Sequence, residues 1–263
     1  MEELWVEPPQ QGRLAKPRQT GITMLIDKGL SLSETRDLLE VSAAYIDLIK
    51  LGFGTAALYP SRLLEKKIAL TEEYGVALYP GGTLFELHFW QGKADSYFHK
   101  LRRSGFRWVE ISDGTIELND VERSQAIIQA REAGLEVITE VGKKNLLQQP
   151  DEASLADKAQ RDLELGARWV IIEARESGHG VGIYDADGKI IAAKLSLLTR
   201  ELPQHRVIWE APLKNQQADL INRFGPNVNL GNIPLSESLA LEALRLGFRN
   251  DTWKAANQHI RAL

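Results

Sequence analysis

Four segments of this chain carry an apolar run straight into a glutamate: WVEISDG, VITEVGKK, VIIEARESG and VIWEAP. They place Glu110, Glu140, Glu173 and Glu210 at matching depth. Burying a carboxylate is costly unless it is paired or bound to an ion. One such residue is cheaply solvated at a strand end. Four at one level imply a shared purpose. Carboxylates are hard oxygen ligands suited to magnesium or manganese, so these four are candidate metal ligands, with Asp27 behind them. Cations accompany them: Lys28 beside Asp27, Lys50 before the GFGT turn, Lys143 and Lys144 after Glu140, and Arg175 two residues past Glu173. Arg175 has the fork that grips phosphate or carboxylate. The loop that follows it, SGHGVG, holds His179 between Gly178 and Gly180, and its amides are able to approach a phosphate. Asn229 is the polar residue of the last apolar run. The set suits an anionic substrate held through a divalent metal.

Other chemistries have little support. The chain has no cysteine, which excludes a thiol nucleophile and disulfides. His88, His99, His179, His205 and His259 lack metal-ligand spacing. No Ser/His/Asp order with a nucleophile elbow is visible. The net charge of −4 in 263 residues is not that of a nucleic-acid binder. No stretch approaches the roughly 18 apolar residues of a membrane helix, and MEELWVEPPQQ has no hydrophobic signal core. The expectation is a cytoplasmic protein with small-molecule substrates.

Something must bring these side chains together. Eight short apolar runs recur, at 23–26, 45–51, 76–79, 108–111, 136–141, 169–172, 207–209 and 227–230, with helical patterns between most of them. Ser31 with Glu34, and Asn119 with Glu122, make capping boxes. Gly75, Gly105, Gly134, Gly166, Gly225 and Gly247 stand where helices should stop. Alternating strands and helices imply a parallel sheet, and eight units in this length imply a single α/β domain, a (β/α)8 TIM barrel. An open doubly wound sheet is the alternative, but IDKGLSLSE after the first strand is not a dinucleotide fingerprint. On this fold the active site lies at the C-terminal strand ends, where the charges fall. Residues 1–20 read as a leading arm that closes the barrel bottom or packs on a partner. Residues 249–263 read as a tail helix.

Several blocks, in order, resemble the phosphosulfolactate synthase family: KPRQTGITMLIDKGL, DLIKLGFGT, LYPGGTLFE, VEISDGTIEL, TEVGKK, VIIEARESG, EAP and VNLGNI. They run from residue 16 to about 252. The resemblance implies a (β/α)8 barrel and the magnesium-dependent addition of sulfite to C3 of phosphoenolpyruvate, giving (2R)-3-sulfolactate phosphate. It places the reaction in coenzyme M synthesis or in bacterial sulfolactate formation. By motif, Lys144 of TEVGKK becomes the acid that protonates C2, with Lys143 beside it. Nearby cations are expected to lower the Lys144 pKa towards neutrality. Arg175 grips the substrate phosphate, and Lys50 and Lys28 attract sulfite or neutralise the substrate carboxylate. The resemblance also implies a lysine where this chain has His179, and a homo-oligomer, possibly a trimer. The competing reading is another barrel lyase or aldolase, with Lys50 or Lys144 as a Schiff-base amine.

Overall fold

The computed structural model describes residues 4–145 and 148–253. Among them, eight strands form one parallel sheet: β1 (Thr23–Asp27), β2 (Leu48–Leu51), β3 (Ala77–Pro80), β4 (Trp108–Ile111), β5 (Glu136–Val141), β6 (Trp169–Ile172), β7 (Val207–Glu210) and β8 (Leu230–Pro234). The hydrogen-bonded order is β3-β2-β1-β8-β7-β6-β5-β4. β3 and β4 pack side by side, so the sheet curls into a barrel that is nearly closed. The helices between the strands are α1 (Leu32–Ser42), α2 (Ser61–Glu73), α3 (Gly82–Trp90), α4 (Ala94–Arg103), α5 (Asp120–Glu132), α6 (Glu152–Glu164), α7 (Ala192–Glu201) and α8 (Lys214–Phe224), and α9 (Ser238–Arg245) follows β8. This is the expected (β/α)8 barrel.

The local signals work as written in the sequence. Ser31 and Glu34 satisfy each other's backbone amides at the start of α1, and Asn119 and Glu122 do the same at α5. The six helix-stopping glycines all have positive φ, between 65° and 100°, which costs glycine little.

Two strands differ from expectation by more than one residue. Ala43–Tyr45 forms a 3-10 turn, so β2 begins at Leu48 rather than Tyr45. The last strand is not 227–230 but Leu230–Pro234. The apolar run that suggested the earlier position only leads into it.

Alternation along the strands sorts the side chains into two layers. Met24, Leu48, Tyr79, Ile138, Trp169, Ile171 and Ile208 fill the barrel interior. Leu25, Ile49, Leu78, Val109, Ile111, Val137, Val141, Val170, Ile172 and Trp209 face the helices in the larger outer core. This parity decides which charged residues can reach the mouth.

The leading arm is tied to the barrel by two ion pairs. Arg13 pairs with Glu242 of α9 at 2.9 Å, and Arg18 pairs with Asp47 at 2.9 Å. Residues 250–253 begin a helix at the tail. The rest of the expected tail helix lies outside the described residues.

Candidate active site

A cavity of about 710 Å³ opens at the C-terminal ends of the strands. Its wall includes Lys50, Glu110, Glu140, Lys144, Glu173, Arg175, Glu210 and Asn232. Glu110 and Glu140 lie two residues beyond Trp108 and Ile138, which point into the barrel, and parity therefore points them inward too. They form a charged layer on top of the apolar one.

Lys50 is at the centre of that layer. Its Nζ lies 3.0 Å from Glu110 Oε1, 2.9 Å from Glu140 Oε2 and 3.6 Å from Glu210 Oε1. The four glutamates are each 1–3% exposed. Glu110 Oε1 also accepts from the Gly82 amide at the start of α3, at 2.7 Å. Glu210 Oε2 accepts from the Ala174 amide at 3.0 Å, and Glu173 Oε1 accepts from the Arg175 amide at 2.5 Å. The backbone leaves room for the cations. A Cβ at Gly81 would lie 3.0 Å from Lys50 Cε, and one at Gly114 would lie 3.2 Å from Lys144 Cε.

Burial opposes the charge on Lys50, but its three carboxylate neighbours outweigh it and raise the ammonium well above its ordinary value. Burial and Glu140 push Glu110 up to about 7 against the pull of Lys50. Glu140 goes the other way. Lys50 and Lys144 overcome its burial and hold it down to about 2. Burial, then the charges of Glu140 and Glu210, lift Glu173 well above the carboxylate range, which favours its protonated form as a hydrogen-bond donor beside ionised Glu140. Burial also raises Glu210.

Lys144 reverses the sequence expectation. Burial lowers it, but Glu140, Glu86 and Glu173 together outweigh that effect and raise its pKa. Its acidic neighbours outweigh the opposing charge of Lys50, and its Nζ is 3.4 Å from Thr83 Oγ1. Lys144 is therefore charged at neutral pH. A Schiff-base amine must lose its proton to attack. Both candidate amines are held as ammonium ions, which counts against that chemistry.

Five expected site residues lie elsewhere. Asn229 is at the opposite end of the barrel, because β8 starts after it. Its Oδ1 accepts from Ile22 N at 2.9 Å and its Nδ2 donates to Val207 O at 2.9 Å, tying the strand starts together. Asp27 shares the outward parity of Leu25, and it meets Lys67 of α2 at 2.5 Å instead of the cavity. Lys143 shares the outward parity of Val141. It donates to Asp113 O and Ile116 O at 2.7 and 2.8 Å. Gly178 and His179 lie behind the wall. Gln216 Nε2 donates to Gly178 O at 2.7 Å, and His179 Nδ1 is 3.1 Å from Ala186 O, so the glycine loop packs on its own chain. Lys28 sits at the rim, paired with Glu176 and 5.8 Å from the ring centroid of Phe53.

The structure adds two residues. Asn232 lines the cavity from β8, where the register with β1 shifts between Thr23 and Leu25. A glycine followed by an asparagine inside an apolar run, LGNI, is the sequence sign of such a bulge. Glu86 of α3 accepts from Ser112 Oγ at 2.9 Å and Thr115 N at 3.2 Å, fixing the loop under Lys144. Only its position in YPGGTLFE pointed to it.

The donor set fits a hard divalent cation in chemistry. Carboxylates outnumber ammonium groups, and Glu110 Oε2 is buried without a hydrogen-bond partner. The carboxylates are nevertheless drawn in around Lys50, and among the described residues no group of three acidic or histidine side chains is arranged for a metal. None of the helices described is long and apolar enough to cross a membrane.

Comparison with known proteins agrees with this geometry. The phosphosulfolactate synthase of Methanothermobacter thermautotrophicus is 43% identical, covering 96% of this chain and 98% of that protein. The phosphosulfolactate synthase of Methanocaldococcus jannaschii is 41% identical, covering 89% and 94%. Among solved structures, 3-hexulose-6-phosphate synthase from Salmonella typhimurium superposes with a TM-score of 0.56 at 15% identity over 90% of this chain and 99% of that one, a likeness of fold alone. A family model, (2R)-phospho-3-sulfolactate synthase (ComA), matches residues 11–251. With eight strands carrying one charged mouth and relatives matched along nearly their whole length, the chain belongs to the (2R)-phospho-3-sulfolactate synthase family of lyase-type enzymes.

Proposed function

We propose that this mouth joins sulfite to C3 of phosphoenolpyruvate, making (2R)-3-sulfolactate phosphate. The observation that carries the reading is Lys144, a cavity-lining ammonium whose acidic neighbours keep it charged. Sulfite attacks C3 through sulfur, and the new bond pushes the double-bond electrons towards the substrate carboxylate as an enediolate. Lys144 then gives its proton to C2, and solvent restores it. Delivery from one wall of the cavity sets one configuration at C2.

The other residues bind and orient. Among the described residues the Arg175 guanidinium makes no hydrogen bond or ion pair, and it takes the phosphate through its bidentate fork. Lys50, fixed by three carboxylates, stabilises negative charge deep in the mouth. Lys28 adds positive charge at the rim, where an approaching anion meets it first. Glu110, whose Oε2 has no hydrogen-bond partner, would be the carboxylate that meets magnesium, which supplies positive charge for the substrate carboxylate. Glu140 is committed to Lys50 and Glu173.

The test is phosphorus NMR of the purified protein with phosphoenolpyruvate, sulfite and magnesium. A new phosphoester that requires both sulfite and metal supports the reading. Untouched phosphoenolpyruvate in the presence of folded protein refutes it.

A further inference from the structure

The described residues include three non-glycine residues in the left-handed backbone region: Phe53 at φ 55°, Arg175 at 61° and Asn232 at 57°. All three line the cavity. Left-handed backbone costs an ordinary residue roughly 1–2 kcal/mol, and asparagine less than most. Such strain persists only where the surroundings hold it, and it gathers at functional sites.

Arg175 is held from both sides. Its amide donates to Glu173 Oε1 at 2.5 Å. Its carbonyl accepts from Asn232 Nδ2 at 3.2 Å. The same nitrogen lies 3.4 Å from Glu210 Oε2, which also binds the Ala174 amide at 3.0 Å. Both of these Asn232 partners are acceptors only, so the side-chain amide must turn its NH2 towards them and cannot flip. One NH2 group therefore joins the carboxylate layer to the backbone of the rim arginine. The β8 bulge makes the reach possible. Thr23 pairs with Leu230, but Leu25 pairs with Ile233, so one extra residue is taken up in β8. With Gly231 beneath it facing Met24 and Ile208 inside the barrel, the bulge gives Asn232 a second inward position.

We infer that Asn232 is a positioning residue for phosphate recognition: its side-chain amide clamps Arg175 in the left-handed conformation that aims the guanidinium at the substrate phosphate. The inference rests on the proposed reaction for the identity of the anion. The clamp itself does not depend on that identity.

Two substitutions separate the amide from the backbone. Asn232→Gly accepts the left-handed conformation without strain but has no amide. Asn232→Asp keeps the shape and tolerates the conformation but sets an acceptor against Arg175 O and Glu210. Both variants are expected to raise the KM for phosphoenolpyruvate about tenfold or more, the order expected for losing a charged hydrogen bond, while kcat changes less than about threefold. Adding Arg175→Ala to either variant should raise KM no further than Arg175→Ala alone. Crystal structures of the two variants should show Arg175 outside the left-handed region. That arm reads the clamp even if wild-type protein turns over no phosphoenolpyruvate, which would defeat the proposed reaction separately. Wild-type KM in Asn232→Gly, or an unchanged left-handed Arg175 in both variant structures, overturns the inference.

Discussion

Lys50 Nζ and Glu140 Oε2 lie 2.9 Å apart at the centre of the barrel mouth, and each moves the other's proton equilibrium further into the charged form. The pair explains how four glutamates can be packed within one buried layer. Glu140 is neutralised by Lys50, Glu173 favours its protonated form, and Glu110 and Glu210 share the remaining attraction of the ammonium.

Removing Lys50 should cost more than any other single change in the layer. Lys50→Met leaves three carboxylates facing each other without the ammonium that lies between them. Breaking a buried pair by removing one partner typically costs about 3–5 kcal/mol. Urea denaturation in metal-free buffer should show a loss of that order, with no turnover. A loss below about 1 kcal/mol would mean the layer does not depend on Lys50.

Arg175→Lys tests the phosphate grip. Lysine keeps the charge but loses the two-pronged geometry. The KM for phosphoenolpyruvate should rise about tenfold, with the KM for sulfite unchanged. Steady-state kinetics with each substrate varied in turn gives the answer. An equal rise for both substrates would assign Arg175 a general electrostatic role instead.

Asp27→Asn tests the parity argument. Asp27 faces α2 and meets Lys67, both at most 1% exposed. The substitution should lower stability by an amount on the order of 3 kcal/mol and leave the magnesium concentration for half-maximal rate unchanged. A shift in that concentration would return Asp27 to the metal site.

Much of this was legible in the sequence. Capping boxes and stop glycines mark the helices locally, and each of the four Glu-ended runs is a strand whose glutamate reaches the mouth. What failed was long-range. Asp27 and Lys143 read as charged strand-end residues like Lys50 and Lys144, but one step of alternation turns them outward, Asp27 to Lys67 of α2 and Lys143 to Asp113 and Ile116 in the loop after β4. Asn229 and Asn232 are three residues apart in one motif, and only the register of β8 against β1 decides which of them sits at the mouth. The raised pKa of Lys144 is hidden from the sequence for a similar reason. Its nearest neighbours in sequence include a lysine, whereas its neighbours in space are Glu140, Glu86 and Glu173.

The most direct measurement compares wild-type protein with Lys144→Ala, using carbon-13-labelled phosphoenolpyruvate, sulfite and magnesium in deuterium oxide. NMR of the product reads the C3–sulfur bond and the label at C2. Wild type should give one deuterium at C2 in a single configuration. Its kcat should not fall between pH 7 and 10 through Lys144 losing its proton, because the raised pKa keeps that ammonium charged. Lys144→Ala should remain folded and lose roughly 10²–10⁴ in kcat, the usual contribution of a positioned general acid. Near-normal turnover by Lys144→Ala, with the same single configuration at C2, would contradict the account.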